Sequence, residues 1–490
     1  MKIFIETLQP QPLWQYFYAI TQLPHPSGYT DKIRQFLQDF AASLALEYKT
    51  DSAGNVLICK PASVGLEQAK TIILQAHMDM VPQKNSGVAH NFETDALQVF
   101  VAGNWVKATD TTLGADNGLG VAAILAVLAS NDIKHGPLRA LFTNDEETGM
   151  HGAFGLDKAF LQGDILLNLD SEDEGELFVG CAGGIDADFV FPLEMVTANP
   201  DDMAIVIAVS GLQGGHSGID IHLERANANK LLFRFLKMAA TSCDARLASV
   251  LGGSLRNAIP REASAVISIP VNKRDGLIRL LEETSVLFSK EYYGIETELR
   301  LDQKPHDKVK WVFSNAFQEK IIHAVCAAPN GVFNHIPEMP TVVESSSNLA
   351  VILTDERRLV IKYLLRSSVE SKKQALCAMH DSFFTLAGAS AVFFGDYPGW
   401  QANFESPLLA AMRAVYKDKF GLEPTVKLIH AGLECGILGA LNPQLDMLSF
   451  GPTIRFPHSP DEKLAVDSVQ RFWDFLIAGI ESVATNKNAV

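Results

Sequence analysis

Imidazole and carboxylate groups recur in this sequence at the ends of apolar runs. TIILQA (71–76) leads into His77-Met78-Asp79, and LRALFT (138–143) into Asn144-Asp145-Glu146-Glu147. DILLNL (164–169) ends at Asp170. Leu113-Gly114-Ala115-Asp116-Asn117 precedes the apolar stretch GLGVAAILAVLAS (118–130), and His458 closes Arg455-Phe456-Pro457-His458. Neutral imidazole nitrogen and carboxylate oxygen are ligands for zinc and similar ions. A pair of ions needs a shared carboxylate and private ligands for each. A further carboxylate that is not a ligand has to take a proton from water. The adjacent Glu146 and Glu147 can divide those two tasks, one binding and one acting. Asp79, two residues from His77, can orient the imidazole through its second nitrogen.

Each group has a plainer explanation when taken singly. His-x-Asp is common on surfaces, Glu146-Glu147 fits a solvated turn, and Asp116 or Asp170 fits a helix cap or a turn. Those explanations leave unexplained why each of these segments ends in a ligand type. In open α/β sheets the ligand lies beyond the carboxyl ends of the strands, so a shared site accounts for them together.

The elements that position these groups are legible as short apolar strands alternating with helices. Spacing near 3.6 marks a helix over 32–46, and 118–130 reads as an apolar helix. Strands are expected at 71–77, 138–143 and 164–170. The same grammar returns at the end, with a strand at 446–450 and an amphipathic helix at 466–484, for which Ser-Pro-Asp-Glu (459–462) offers a starting cap. This predicts a layered α/β domain.

The middle differs. Strand (204–210), helix (224–241), strands (245–250, 263–270), helix (275–290) and strand (295–301) form one round. A second follows: strand near 309–313, helix (314–327), strands (340–344, 357–365), helix (369–386) and strand (390–395). Each round resembles the split βαβ ferredoxin-like unit. The expected organisation is an α/β domain of 1–185 and 396–490 interrupted by an inserted α+β domain, 186–395, with the ferredoxin-like unit doubled.

Composition bounds the partners. The chain has 490 residues, 47% hydrophobic and 20% charged, with a formal charge of −16. That is too long for one core, and it offers no basic face for nucleic acid. The opening MKIFIETLQPQPLW lacks the apolar run of a signal peptide, and Leu119 to Ala129 is too short to span a bilayer. Cys59, Cys181, Cys243, Cys326, Cys377 and Cys435 are scattered without a CxxC pair and read as thiols of a reducing compartment. A cytoplasmic protein is expected, with no membrane or nucleic-acid partner.

HMDMVP (77–82), GADNG (114–118), DEETGMHGA (145–153) and NLDSEDEGE (168–176) together resemble the M20 metallopeptidases. The similarity is closest to their aminoacyl-histidine (Xaa-His) dipeptidase branch, the PepD type. GGHSGIDI (214–221), SLRNAIPREA (254–263), HAGLECGIL (430–438) and GPTIRFPHSPDE (451–462) extend it over essentially the whole chain. The resemblance implies a zinc-peptidase-like catalytic domain with an inserted lid. It also implies a zinc-type pair of divalent ions, with cobalt or manganese as alternatives. His77 and Asp170 would hold one ion, Glu147 and His458 the other, and Asp116 would bridge them. Glu146 would be the general base, supported by Asp79 at His77. In the lid, His216 would stabilise an oxyanion, Arg366 would take a substrate's terminal carboxylate and Asn257 would donate a hydrogen bond. The implied reaction is hydrolysis of dipeptides, Xaa-His dipeptides such as β-Ala-His included. A doubled lid would let His216 act in its own subunit, and a homodimer stays open. The competing expectations are a deacylase or aminopeptidase with the same metals, and a silent binding protein that keeps the fold.

Overall fold

The computed structural model describes residues 4–485. Met1, Lys2 and Ile3, which head the MKIFIETLQPQPLW segment, and residues 486–490 lie outside the described residues. The chain divides into two compact units. The first comprises Met1–Gly180, Trp400–Leu428 and Leu433–Val490, and the second Cys181–Gly399 and Ile429–Gly432.

The first unit is built on an eight-stranded sheet among the described residues, in the order 47–50, 56–60, 138–143, 72–77, 165–168, 446–449, 176–181 and 425–429. Ile72–His77 runs parallel to both Leu138–Thr143 and Ile165–Asn168, and Asp446–Ser449 runs parallel to Ile165–Asn168. Every residue of Ile72–His77 and of Ile165–Asn168 is buried. That is why these strands read as continuous apolar runs rather than alternating ones. Their carboxyl ends point the same way, so the residues that follow them converge on one edge of the sheet.

The helix Ala115–Ala129 is buried along nearly its whole length. It starts three residues earlier than the apolar run, and Asp116 (φ −83°, ψ 106°) and Asn117 (φ −113°, ψ 30°) depart from helical geometry inside it. The two flanking glycines are required. Gly114 has φ 67°, and a Cβ at Gly120 would lie 2.1 Å from Asn117 Oδ1 and 2.6 Å from the Leu169 carbonyl oxygen. Gly120 therefore lets the Asn117 side chain fold back over the helix start.

The second unit carries a nine-stranded sheet among the described residues, with helices packed on it around one large core. One half has the order 300–306, 203–210, 263–269, 246–252, all antiparallel. The other has the order 339–354, 358–367, 183–192, 390–397. The halves meet where Leu251 pairs with Leu353 and Gly252 with Ile352.

This corrects the expected second round. Its first strand is Gly183–Pro192, which pairs on both sides, and not the run near 309–313. Trp311–Phe313 instead makes a separate ribbon with Met195–Thr197. The first round is thus inserted within the second, after that round's opening strand. A three-residue apolar run cannot compete with the ten-residue alternation GGIDADFVFP for a central place.

Three of the expected boundaries and one cap also change. The closing strand of the first round is Arg300–His306 rather than 295–301, and the first-round helix is Ala228–Cys243, capped by the Asn227 side chain. The strand expected at 340–344 runs over Met339–Thr354. Ser-Pro-Asp-Glu (459–462) does not cap the closing helix Val466–Thr485, because the short strand Lys463–Ala465 intervenes. The cysteines are buried except Cys59 and Cys326, which are half-buried.

Candidate active site

Within the first unit the post-strand residues meet. The ring of His77 is 1% exposed. Its Nδ1 lies 3.0 Å from the Asp79 carbonyl oxygen. A carbonyl only accepts, so Nδ1 carries a proton, and Nε2 is the nitrogen left to face a ligand. That Nε2 faces Asp116 Oδ1 at 3.0 Å and Asp170 Oδ1 at 3.3 Å. His458 Nε2 lies 3.2 Å from Asp116 Oδ2 and 3.0 Å from Glu147 Oε2. Asp116 thus turns one oxygen to each histidine.

Asp79 does more than face His77. Its carboxylate is 3.5 Å from Nδ1, but its shorter bonds go elsewhere. Oδ1 accepts from the Glu146 N–H at 3.0 Å, and Oδ2 from the Ser27 hydroxyl at 2.7 Å and the Glu147 N–H at 3.3 Å. It pins the turn that carries both glutamates. Asp145 in that turn (φ 50°) and His458 (φ 58°) sit in the left-handed region, which costs on the order of 1 kcal/mol each. Asp145 is held there by the Gly28 N–H, 2.6 Å from its Oδ1.

The charge balance of the cluster is lopsided. Burial, reinforced by Asp170, Glu434 and Glu147 against the pull of His77, pushes the Glu146 carboxyl well above the usual range. Asp170 is pushed up to about 6, chiefly by burial against His77. Glu172 rises to about 8 by burial and the charges of Asp116 and Asp170. Burial opposes a charge on His77, yet Asp170, Asp116 and Asp79 hold its pKa well above the ordinary value. Hydrogen bonds to Asp116 and Glu147 raise His458 to about 11. Among the described residues, no lysine or arginine pairs with any of Asp79, Asp116, Glu147 or Asp170.

These donors fit divalent cations. His77, Asp116 and Asp170 each place a ligand atom within 4.8 Å of the others, and so do Asp116, Glu147 and His458. The two sets share Asp116. A third grouping, His77 with Glu146 and Glu147, overlaps both. Glu147 Oε1 is buried without a hydrogen-bond partner, the kind of atom that a cation satisfies. Several carboxylates buried together without counterions are costly, and cations offset that cost.

Several residues the sequence reading did not single out belong to the same region. Asn117 Nδ2 donates to Asp170 Oδ1 at 2.5 Å. Glu434 is 1% exposed. Its Oε2 accepts from Gln75 and Thr143, both at 2.7 Å, while Oε1 has no partner. Burial raises its pKa to about 7. The one available signal for Glu434 was its place in HAGLECGIL.

The remaining predicted residues lie in the second unit. His216 sits on a ribbon in which Gly215 pairs with Ile259 and His216 with Ala258. Its Nδ1 accepts from the N–H groups of Gly218 (3.2 Å) and Ile219 (3.1 Å), so the proton is on Nε2, a free donor. Burial, with Arg366 adding to it, lowers its pKa and keeps it neutral. Arg366 is 4% exposed. Its Nη1 donates to the Tyr397 hydroxyl at 2.7 Å and its Nε has no partner. No carboxylate forms an ion pair with it among the described residues. His430, pushed down to about 3 by burial, Arg366 and His216, bonds through Nε2 to the Ser346 hydroxyl at 2.7 Å. Asn257 is exposed, and what it contributes to the ribbon is its carbonyl, which accepts from the Ser217 N–H at 2.7 Å. Tyr397 is anchored in turn by Lys373, 1% exposed, whose Nζ donates to the Tyr397 carbonyl and pairs with Asp396 and Glu370.

The chain belongs to the peptidase family M20/M25/M40, whose model matches residues 73–481. It is a hydrolase, and its mixed α/β architecture is that of the family. It is 43% identical over 474 residues, 96% of this chain and 97% of the relative, to the cytosol non-specific dipeptidase of Escherichia coli. The crystal structure of an aminoacylhistidine dipeptidase from Vibrio alginolyticus superposes with a TM-score of 0.93 at 46% identity, covering 98% of both chains. A tripeptidase from Staphylococcus aureus, 15% identical with a TM-score of 0.56 over 97% of this chain and 99% of its own, shares the fold. No helix among the described residues is long and apolar enough to cross a membrane.

Proposed function

We propose that the protein is a metal-dependent dipeptidase acting on free dipeptides, Xaa-His dipeptides such as β-Ala-His among them. The observation that carries this reading is the Asp116-centred cluster, in which two sets of ligand atoms share one carboxylate beside Glu146, which belongs to neither of those two sets. Full-length similarity to two dipeptidases supports the substrate class. His77 and Asp170 would hold one ion, Glu147 and His458 the other, and Asp116 would bridge. Zinc suits this nitrogen and oxygen set, with cobalt or manganese as substitutes. When bound, such ions supply Lewis acidity and offset the buried negative charge.

Glu146 takes the proton of the attacking water and delivers it to the leaving nitrogen. Asp79 fixes the backbone of Glu146 and the tautomer-setting carbonyl beside His77. The unpartnered oxygen of Glu434 is an acceptor for a substrate's free amino group. In the second unit, Arg366 recognises a terminal carboxylate, the Nε2–H of His216 donates to the oxyanion, and Asn257 adds a hydrogen bond. The cytosol is the proposed compartment.

The test is metal-supplemented kinetics on β-Ala-His beside several α-dipeptides, an acyl-amino acid and a tripeptide. Hydrolysis of dipeptides alone is expected, lost on chelation and in Glu146→Gln. A protein that takes up metal and cleaves none of the dipeptides sinks the reading, as does an unimpaired Glu146→Gln.

A further inference from the structure

The start of the helix Ala115–Ala129 has no local cap. Gly114 at its N-cap has no side chain, and Asp116 and Asn117 are not helical. The four consecutive amides that lead into its first turn nevertheless all have a partner in Glu462, which is 2% exposed. Oε2 accepts from the N–H groups of Leu113 at 2.7 Å and Gly114 at 3.0 Å. Oε1 accepts from Ala115 at 2.8 Å and Asp116 at 3.3 Å. A carboxylate is the one side chain whose two oxygens can take four amide donors, and it is also favoured by the helix dipole. The residue that the sequence suggested as a cap for the closing helix therefore caps a different helix, far away in the chain.

Glu462 lies four residues after His458. The loop between them is closed by the Glu462 N–H on the Ser459 carbonyl at 2.9 Å and the Asp461 N–H on the Ser459 hydroxyl at 3.1 Å. On its far side it continues into Lys463–Ala465, which pairs with the strand Trp105–Ala108. One anchored loop thus grips Asp116 twice. Glu462 holds its backbone, and His458 touches its side chain at Oδ2. Asp170 accepts from Asn117 and His77 donates to the Asp79 carbonyl, and neither partner belongs to the 458–462 loop, although Asn117 follows Asp116 at the same helix start.

We propose that Glu462 is a positioning residue that sets the bridging carboxylate of Asp116 and the imidazole of His458 together, and that its loss selectively weakens the cation held by Glu147 and His458. This rests on the metal-pair reading above. Glu462→Gln replaces one acceptor oxygen by an amide that opposes the helix N–H groups. Metal uptake is measured by titrating the chelated protein with zinc and by the absorption spectrum of the cobalt form, alongside thermal unfolding.

The variant is expected to take one ion as the wild type does and the second about tenfold to a hundredfold more weakly, with activity recovered at excess metal. Two unchanged ions, or two ions weakened alike, overturn the inference. If Glu462→Gln does not fold, Glu462→Asp serves, because it keeps the charge but loses reach. It should show the same one-sided weakening, and wild-type uptake of both ions overturns the proposal. A wild-type protein that binds no pair of divalent ions refutes the metal-pair reading itself, which separates that failure from this one.

Discussion

Two buried polar regions of this chain are built on opposite deficits. In the first unit Asp116, Glu147 and Asp170 surround two imidazoles, and among the described residues no lysine or arginine is paired to them. In the second, the Arg366 guanidinium is buried beside two neutral histidines, with a hydroxyl for a partner and no carboxylate. A structural polar core is normally self-satisfied. A region short of cations and a region short of an anion each leave a place for a group of opposite charge. On the proposed function, the difference separates the chemistry, which would need metal and a base, from recognition, which would need a fixed positive group.

The sharpest way to break this contrast is Glu146→Gln. Removing the base should lower kcat by about a hundredfold to ten-thousandfold, with metal content and unfolding temperature unchanged. A loss of metal in this variant would place Glu146 among the ligands instead.

Arg366→Met comes next. Loss of a charge-assisted contact of roughly 1.5–3 kcal/mol should raise KM for a dipeptide by about tenfold to a hundredfold. A C-terminally amidated dipeptide should be affected far less, and equal effects on both substrates would remove the anion-binding role.

The second unit's histidines also predict a pH response. His380 is fully buried, with Nδ1 2.8 Å from the Leu376 carbonyl and Nε2 2.8 Å from the Ser347 hydroxyl. Burial pushes its pKa down to about 4, below the roughly 6.5 of an unfolded histidine. The unfolded chain therefore binds the proton first. Stability is whole above about pH 6.5 and is lost as pH falls toward 4, by roughly 2 kcal/mol between pH 7 and pH 5 from this group. Urea unfolding of the wild type and His380→Gln at both pH values checks it, since the variant should show the smaller loss.

The smallest effect belongs to Tyr397→Phe. It removes the hydroxyl that steadies Arg366, worth about 1 kcal/mol. KM for the dipeptide should rise less than tenfold, kcat should hold, and the dipeptide-over-amide preference should shrink. A parallel fall on both substrates would make Tyr397 structural only.

The contrast also shows what could be read in advance. Strands such as TIILQAH and LRALFT were legible because burial on both faces makes them unbroken apolar runs, and the acids after them followed from strand direction. The nesting of the second unit was not, because a strand's partner is set by pairing across long separations that the local pattern does not encode. Gly183–Pro192 was therefore overlooked in favour of the run near 309–313. Glu462 was assigned to the wrong helix for the same reason. Local spacing favours the nearest helix start, but the amides that needed an acceptor lay at Leu113–Asp116.

The sequence by itself determined the ligand types, their order after the strands, and the family to which the motifs belong, since residue chemistry and local periodicity are properties of short segments. Only the tertiary structure decided which oxygen of Asp116 faces which histidine, which nitrogen of His77 turns to the carboxylates, which nitrogen of His216 carries the proton, and which buried groups were left without a partner. Those are matters of distance and burial, and they exist only once segments hundreds of residues apart share one interior.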